Sequence, residues 1–267
     1  MLFRSSSLIV FNVLSFIGNT LVCISGYRNA RLRTTTNLYI IALAVSDLLP
    51  AMFVMPFATS VLLKGQWIFG EVICNLQSFF LAFVVDVSPV TTGLTALNRY
   101  VRMCRPEREY QKFFSKKTSL SLLVCVWLFV ACYSILPGIV GLQKHSFYPG
   151  YEICAFSQIY QTGKMIHYSV VSSLFLLTPL TITVFSYIKV ARRIQQHKKE
   201  LASSLSQRRG PNSSIISARE IRIHKSLFAV VFAFMICWIP FWVIVILSQF
   251  NLLSVPRNVQ LLCMFSL

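Results

Sequence analysis

The feature that most constrains this chain is a series of long apolar runs separated by short, mostly basic segments. Of its 267 residues, 55% are hydrophobic and only 12% are charged, whereas soluble domains carry about 25% charged residues. The first six runs each contain at most one charged residue and cover residues 5–27, 38–63, 72–98, 118–143, 165–188 and 226–255. Each is long enough to cross a bilayer as a helix, for which about 20 residues suffice. The sequence therefore predicts an all-α membrane protein.

The runs predict a single domain, residues 1–267, that is a seven-transmembrane helix bundle. Six helices are complete and the seventh is only started, so we expect this helix to continue beyond Leu267. The predicted helices cover residues 5–27, 38–63, 72–103, 118–143, 165–193, 220–250 and 256–267.

Basic residues are distributed unequally between the two sets of connecting segments. The segments after helices one, three and five, with their flanks, hold 20 of the 25 Lys and Arg residues. Because basic residues concentrate on the cytoplasmic side, we expect a multi-pass plasma-membrane protein with an extracellular N-terminus. The formal charge of +17 is spread over short segments and not over one folded face, which argues against nucleic-acid binding.

The predicted topology leaves one natural cysteine pair. Cys74 and Cys154 both fall on the extracellular side, where a disulfide persists; the other six cysteines lie in helices or at the cytoplasmic edge. The alternative is two free thiols. CxxC pairs, which would indicate a zinc or redox site, do not occur in the sequence.

A set of short motifs occurs in a fixed order between Gly18 and Leu267. The motifs are Gly18-Asn19, Leu43-Ala44-Val45-Ser46-Asp47, Cys74, Asn98-Arg99-Tyr100, Trp127, Pro179, Tyr187, Phe234 and Cys237-Trp238-Ile239-Pro240. Together they resemble the rhodopsin-like (class A) G-protein-coupled receptors. The resemblance implies a receptor that is not an enzyme, with an extracellular small-molecule or peptide ligand, surrounding membrane lipids and a heterotrimeric G protein as partners.

Within that family, two features are similar to melatonin receptors. One is Asn98 before Arg99, where most members have an acid. The other is Gly65-Gln66-Trp67 followed by Gly70-Glu71. The histidine with which those receptors bind ligand in helix five is replaced here by Phe175, so we expect kinship with the subfamily but a ligand other than melatonin.

The resemblance also implies how a signal reaches the G protein, through the cytoplasmic ends of helices three, five and six. Asn98 cannot form the usual salt bridge with Arg99, so Glu220 is the expected partner. Proline bends helices, and Trp238 is placed to transmit ligand contact to such a bend. The expected coupling residues are Asn98, Arg99, Tyr100, Pro179, Tyr187, Glu220, Phe234, Trp238 and Pro240.

The expected ligand pocket is apolar and aromatic, which suits a small lipophilic or weakly polar ligand. Leu81 stands where amine receptors have an aspartate, and Asp86 lies about 140° further round the helix. Opsins need a lysine in helix seven to form the Schiff base with retinal. They are disfavoured here because no lysine follows Lys225 in the sequence. His167 near the outer rim either adds a hydrogen bond or pH sensitivity to the pocket or is an interfacial side chain in contact with water. The expected walls are Leu81, Val84, Val85, Tyr168, Val171, Ser172, Phe175, Trp238, Phe241 and Trp242.

Asp47 is the one charge in predicted helix two, and an unpaired charge there costs about 3 kcal/mol. Asn19 and Ser88 supply polar neighbours, so the three side chains form a candidate cation cage. By the resemblance, the ion is sodium acting as an allosteric modulator, and no other cofactor is expected. The alternative is a protonated Asp47 with a structural role.

Two other function classes remain open from the sequence. A multi-helix transporter would favour inverted repeats and glycine-broken half-helices, which the sequence does not show. The other class is a non-signalling, truncated receptor fragment, since the sequence ends before the Asn-Pro-x-x-Tyr segment that the resemblance implies.

Overall fold

The computed structural model of the chain describes residues 2–149 and 152–206, with 228, 232, 239, 243 and 244. Across these residues the chain forms helices and one two-stranded sheet. In chain order the elements are α1 (Leu2–Arg28), α2 (Thr35–Phe53), α3 (Met55–Lys64), α4 (Gly70–Cys104), α5 (Glu107–Phe114), α6 (Lys116–Ile139), β1 (Gln143–Tyr148), β2 (Ile153–Gln158), α7 (Gln161–Val170) and α8 (Thr178–Ser206). A 3-10 turn, Ala30–Leu32, precedes α2, and a π-helical segment, Val171–Leu177, joins α7 to α8.

Five stretches of the described chain are long and apolar enough to cross a membrane, which confirms the predicted membrane-helix bundle. They correspond to the first five predicted helices, whereas predicted helices 220–250 and 256–267 lie almost entirely outside the described residues. The five stretches are Ser6–Arg28, Thr35–Lys64, Gly70–Cys104, Lys116–Ile139 and Gln161–His197.

The central element is α4, which packs against α2, α6 and α8. Gly93 allows a close approach between α4 and α8, because a Cβ at this position would lie 3.1 Å from the Pro179 Cβ of α8. A larger residue would push the two helices apart. The main apolar core surrounds α4 and consists of Phe83, Val84, Val87, Val130, Val171 and Phe175.

Several helix ends follow signals that the sequence carries. The Thr34 hydroxyl accepts a hydrogen bond from the Asn37 N–H, and the Ser115 hydroxyl accepts one from the Thr118 N–H. Each side chain therefore satisfies a donor in the first turn of α2 or α6. At the C-terminal end of α3, Gly65 ends the helix with a φ of 73°, a conformation that favours glycine.

Predicted helix two, 38–63, is broken in the structure. Its two parts, α2 and α3, meet at Val54, and the Val54 N–H donates a hydrogen bond to the Pro50 carbonyl. The backbone angles of Val54, φ −120° and ψ −58°, are not helical. Pro56 then lies in the first turn of α3, where a missing N–H costs least.

Predicted helix four, 118–143, is too long at its C-terminal end. The helix stops at Ile139, and Gly141 follows with a φ of 74°. The segment between predicted helices four and five contains a hairpin, in which β1 and β2 pair antiparallel with Gln143 opposite Gln158 and Phe147 opposite Cys154.

Candidate functional site

One end of the bundle, which we call the disulfide end, carries the bond between Cys74 and Cys154. The two Cα atoms are 5.2 Å apart, and the bond joins the first turns of α4 to strand β2. The predicted pairing is therefore present, and the hairpin is held over the start of α4.

Gln77, one turn after Cys74, connects three parts of the disulfide end. Its side chain is fully buried. The Gln77 amide nitrogen donates to the Val54 carbonyl at 3.0 Å, and its carbonyl oxygen accepts from the Cys154 N–H at 2.7 Å. The residue thus satisfies the backbone at the break between α2 and α3 and also fixes β2. Gln77 is not among the residues predicted from the sequence, although an amide inside an otherwise apolar run is a signal for such a role.

The predicted pocket walls fall partly inside the described chain. Val84, Val171 and Phe175 are buried in the main core, and Val85 packs against them. The structure places Leu81, Tyr168 and Ser172 in partly exposed positions on α4, α7 and the π-helical segment. The remaining predicted walls, Trp238, Phe241 and Trp242, lie outside the described residues.

His167 lies against α6 above the predicted pocket walls. Its Nδ1 shares a hydrogen bond of 3.0 Å with the Tyr133 hydroxyl, and the two rings are parallel with centroids 5.7 Å apart. Phe156 of β2 contacts His167 edge-on, with centroids 5.1 Å apart, and Tyr133 also meets Phe175 at 5.2 Å. His167 is therefore a hydrogen-bonded member of an aromatic group, and its expected role at the rim of the ligand pocket stays a prediction.

The opposite end of the bundle, which we call the arginine end, is organised around Asn98 and Arg99, both buried. The Asn98 carbonyl oxygen accepts from the Thr36 hydroxyl at 3.2 Å, and its amide donates to the Tyr110 hydroxyl at 3.4 Å. Tyr187 of α8 is buried beside Ala96 and interacts electrostatically with Arg99.

The turn after α4 is tied to the same group. Arg102 forms a salt bridge of 2.6 Å with Glu107 and lies over the Tyr110 ring, 4.9 Å from its centroid. Tyr100 packs edge-on against Phe185 of α8 at 5.6 Å. The arginine end is thus a layer in which α2, α4, α5 and α8 meet.

Other predicted coupling residues can be placed only in part. Pro179 is buried in the second position of α8. Glu220, Phe234, Trp238 and Pro240 lie outside the described residues, so the proposed pairing of Arg99 with Glu220 stays a prediction.

The candidate sodium ligands are not joined by hydrogen bonds within the described chain. The Asn19 amide nitrogen donates to the Ser15 carbonyl at 3.0 Å, which leaves its oxygen as the available ligand atom. The Ser88 hydroxyl is buried without a hydrogen-bond partner there, and the Asp47 side chain is exposed. The donor set of carboxylate, amide and hydroxyl oxygens suits a hard cation. In the same residues, His, Cys, Asp and Glu side chains form no metal-binding group.

One protein family matches almost the whole chain. Residues 18–266 match the sequence model of the 7 transmembrane receptor (rhodopsin family). The chain belongs to the rhodopsin family. The family resemblance drawn from the motifs is therefore confirmed, and this rhodopsin-family chain is a multi-pass plasma-membrane receptor and not an enzyme.

Curated relatives of this rhodopsin-family chain include melatonin receptors. The chain is 30% identical over 233 residues to melatonin receptor type 1B-A of Danio rerio, which covers 87% of this chain and 77% of that protein. It is 28% identical to melatonin receptor type 1C of Gallus gallus, over 87% and 64% of the two chains. For melatonin receptor type 1A of Mus musculus the identity is 27%, over 85% and 61%. The chain thus spans less than two thirds of the latter two relatives.

Proposed function

We propose that the protein is a G-protein-coupled receptor that binds an extracellular ligand near the disulfide end and activates a heterotrimeric G protein at the arginine end. The observation that supports this most directly is Arg99, which is buried where α2, α4, α5 and α8 meet. A buried guanidinium is costly unless its surroundings compensate it. A rearrangement of the arginine end that exposes Arg99 would therefore offer a cation to a partner.

The proposed orientation places the disulfide end outside the cell and the N-terminus with it. The positive-inside distribution supports this orientation, because the basic segments follow predicted helices one, three and five. A disulfide between Cys74 and Cys154 also fits an oxidising compartment. The arginine end then faces the cytosol, where the G protein is located.

The proposed ligand is small and lipophilic or weakly polar. Support comes from the apolar character of the described walls, in which Val84, Val171 and Phe175 are buried against one another. The relatives are named for melatonin, but Phe175 stands here in place of a histidine and packs against Phe129 and Tyr133. We therefore propose a ligand other than melatonin.

The proposed coupling is tested by guanine-nucleotide exchange on membranes that contain the full-length receptor. Arg99→Ala should abolish exchange while leaving ligand binding intact. Glu220→Ala should raise exchange in the absence of ligand, since the proposed Arg99–Glu220 pair is expected to hold the inactive state. Arg108→Ala, an exposed arginine on α5, is the matched control and should change little. Normal exchange by Arg99→Ala at matched surface expression would refute the proposed coupling role of Arg99.

A further inference from the structure

The residue that the proposed function does not use is Asp86. Its side chain is only 4% exposed. Among the acids whose side chains the structure describes, Asp86 alone is buried. Glu152 is partly exposed, and the exposed acids are Asp47, Glu71, Glu107 and Glu109. Asp86 lies 12 residues after Cys74, which places it about 18 Å along α4 from the disulfide. At that depth a carboxylate is surrounded by protein and hydrocarbon.

Asp86 lies on the face of α4 that packs against the rest of the core. Phe83 and Val90, three residues before and four residues after it, share that face because of the helical repeat. Phe83 belongs to the main core and meets Trp127 of α6 edge-on, with ring centroids 5.8 Å apart. Val90 packs against the same core. Asp86 therefore points toward α6 and the α7–α8 region and not toward the lipid.

The described chain supplies no cation to Asp86. The ion pairs of the described chain join Arg102 to Glu107 and Arg105 to Glu109, and both lie near the arginine end. Within residues 2–149 and 152–206, no hydrogen bond reaches the Asp86 carboxylate. A buried carboxylate without a counter-charge is costly, and intramembrane acids commonly mark ligand or ion sites.

Within the described residues, Tyr133 is the titratable group that faces Asp86 from a neighbouring element, and His167 lies behind Tyr133. Tyr133 of α6 interacts electrostatically with Asp86, and its hydroxyl is held by His167 Nδ1 of α7 at 3.0 Å. When Tyr133 donates its proton to His167, the phenol oxygen keeps lone pairs for another donor. Two oxygen acceptors, one from α4 and one from α6, are then available to one ligand group.

We propose that Asp86 is the polar anchor of the ligand pocket and that the ligand carries a protonated amine. The amine forms an ion pair with the Asp86 carboxylate and donates a hydrogen bond to the Tyr133 hydroxyl oxygen. This inference rests on the proposed receptor function and changes one property of its ligand: the small lipophilic body is kept, but it carries a charged amine and is not only weakly polar. The nearby aromatic rings of Phe83, Tyr133 and Phe175 also favour an organic cation, because ring faces attract positive charge. Asp86 lies five residues after Leu81, the position at which amine receptors have an aspartate. The amine would therefore lie about 7.5 Å deeper along the helix than in those receptors.

The experiment measures how two matched probes stabilise the purified full-length receptor against heat. Tryptamine carries the protonated amine, and N-acetyltryptamine keeps the ring system but is neutral. Tryptamine should stabilise the wild type at lower concentration than N-acetyltryptamine. In Asp86→Asn, the apparent affinity for tryptamine should fall roughly ten- to hundred-fold, as expected for loss of a charge-assisted hydrogen bond. The matched control, Glu71→Gln, changes an exposed acid on the same helix and should leave the affinity unchanged.

Tyr133→Phe gives an independent measurement if Asp86→Asn fails to fold. It keeps the carboxylate, removes the second acceptor, and should weaken tryptamine several-fold while N-acetyltryptamine changes little. The inference is overturned if N-acetyltryptamine binds the wild type as well as tryptamine does, or if neither tryptamine nor 2-phenylethylamine stabilises it. Nucleotide exchange that depends on Arg99 in the same preparations separates failure of this ligand assignment from failure of the proposed receptor function.

Discussion

The Thr36 hydroxyl donates a hydrogen bond of 3.2 Å to the Asn98 carbonyl oxygen, which joins the first turn of α2 to the residue before Arg99. The Asn98 amide group also donates to the Tyr110 hydroxyl at 3.4 Å, so the same side chain joins α4 to α5. Both bonds are between neutral groups, and each contributes about 1 kcal/mol net. Asn98 therefore holds the arginine end together without placing a negative charge beside Arg99.

The first prediction concerns that missing charge. Asn98→Asp keeps an acceptor for Thr36 and lets the Tyr110 hydroxyl donate, and it adds a carboxylate next to Arg99. Exchange without ligand should fall several-fold, because an ion pair with Arg99 that contributes about 1 kcal/mol shifts the equilibrium by that factor toward the inactive state. The measurement is nucleotide exchange at matched surface expression. Thr36→Val, which removes one bond but adds no charge, should not lower basal exchange; an equal fall in both variants would contradict the role of the charge.

The second prediction concerns the bridge made by Gln77. Gln77→Leu is of similar size but leaves the Val54 carbonyl and the Cys154 N–H without their bonds of 3.0 and 2.7 Å. Since each buried unpaired group costs about 1–3 kcal/mol, the free energy of unfolding should fall by about 2 kcal/mol or more. Thermal unfolding of the purified receptor measures the loss. Gln111→Leu, at an exposed position of α5, should have little effect, and equal stability of both variants would show that the bridge is not needed.

The membrane bundle and the disulfide could be predicted from the sequence because each rests on a property that local sequence carries. The length of each apolar run predicts which segments span the membrane. The predicted side of the membrane for each cysteine then indicates which two cysteines can pair. Cys74 and Cys154 are 80 residues apart, yet the predicted compartment alone selected them.

Other features depend on contacts between distant segments and were not predictable in the same way. The break at Val54 is stabilised by Gln77, which lies 23 residues later. The hairpin pairs two six-residue strands that sequence alone does not distinguish from a loop, and the disulfide holds one of them. Likewise, the Tyr133–His167 bond joins residues 34 positions apart, so neither residue indicated it alone.

The third prediction is a pH dependence that comes from the hairpin. His145 of β1 lies beside Gly138, and burial lowers the pKa of its imidazole from 6.5. Because the unfolded state binds a proton at higher pH than the folded state does, His145 contributes stability that is present above pH 6.5 and is lost as the pH falls below that value. Thermal unfolding between about pH 7.5 and 5 should show this decline.

Two variants assign that decline to His145. His145→Gln should flatten the pH dependence between the pKa values of the unfolded and folded states. Lys144→Gln, which changes the adjacent exposed residue, should leave it as in the wild type. A His145→Gln variant with an unchanged pH profile would mean that another group causes the decline.

The fourth prediction concerns the cation cage proposed around Asp47. The Ser88 hydroxyl has no hydrogen-bond partner within the described chain, and the Asn19 oxygen remains available because its nitrogen donates to the Ser15 carbonyl. If sodium binds these oxygens together with the Asp47 carboxylate, it should stabilise the folded receptor by about 1.4 kcal/mol at ten times its dissociation constant. Thermal unfolding in sodium chloride and in choline chloride, at equal ionic strength, measures this difference.

Substitution of the carboxylate tests the assignment of the site. Asp47→Asn removes the charge and should abolish the difference between the two salts, because neutral oxygens alone bind a hard cation weakly. Glu71→Gln removes an exposed acid at the disulfide end and should retain the difference. Equal stability of the wild type in the two salts would leave Asp47 as a protonated, structural aspartic acid, whereas a sodium effect that persists in Asp47→Asn would place the ion elsewhere.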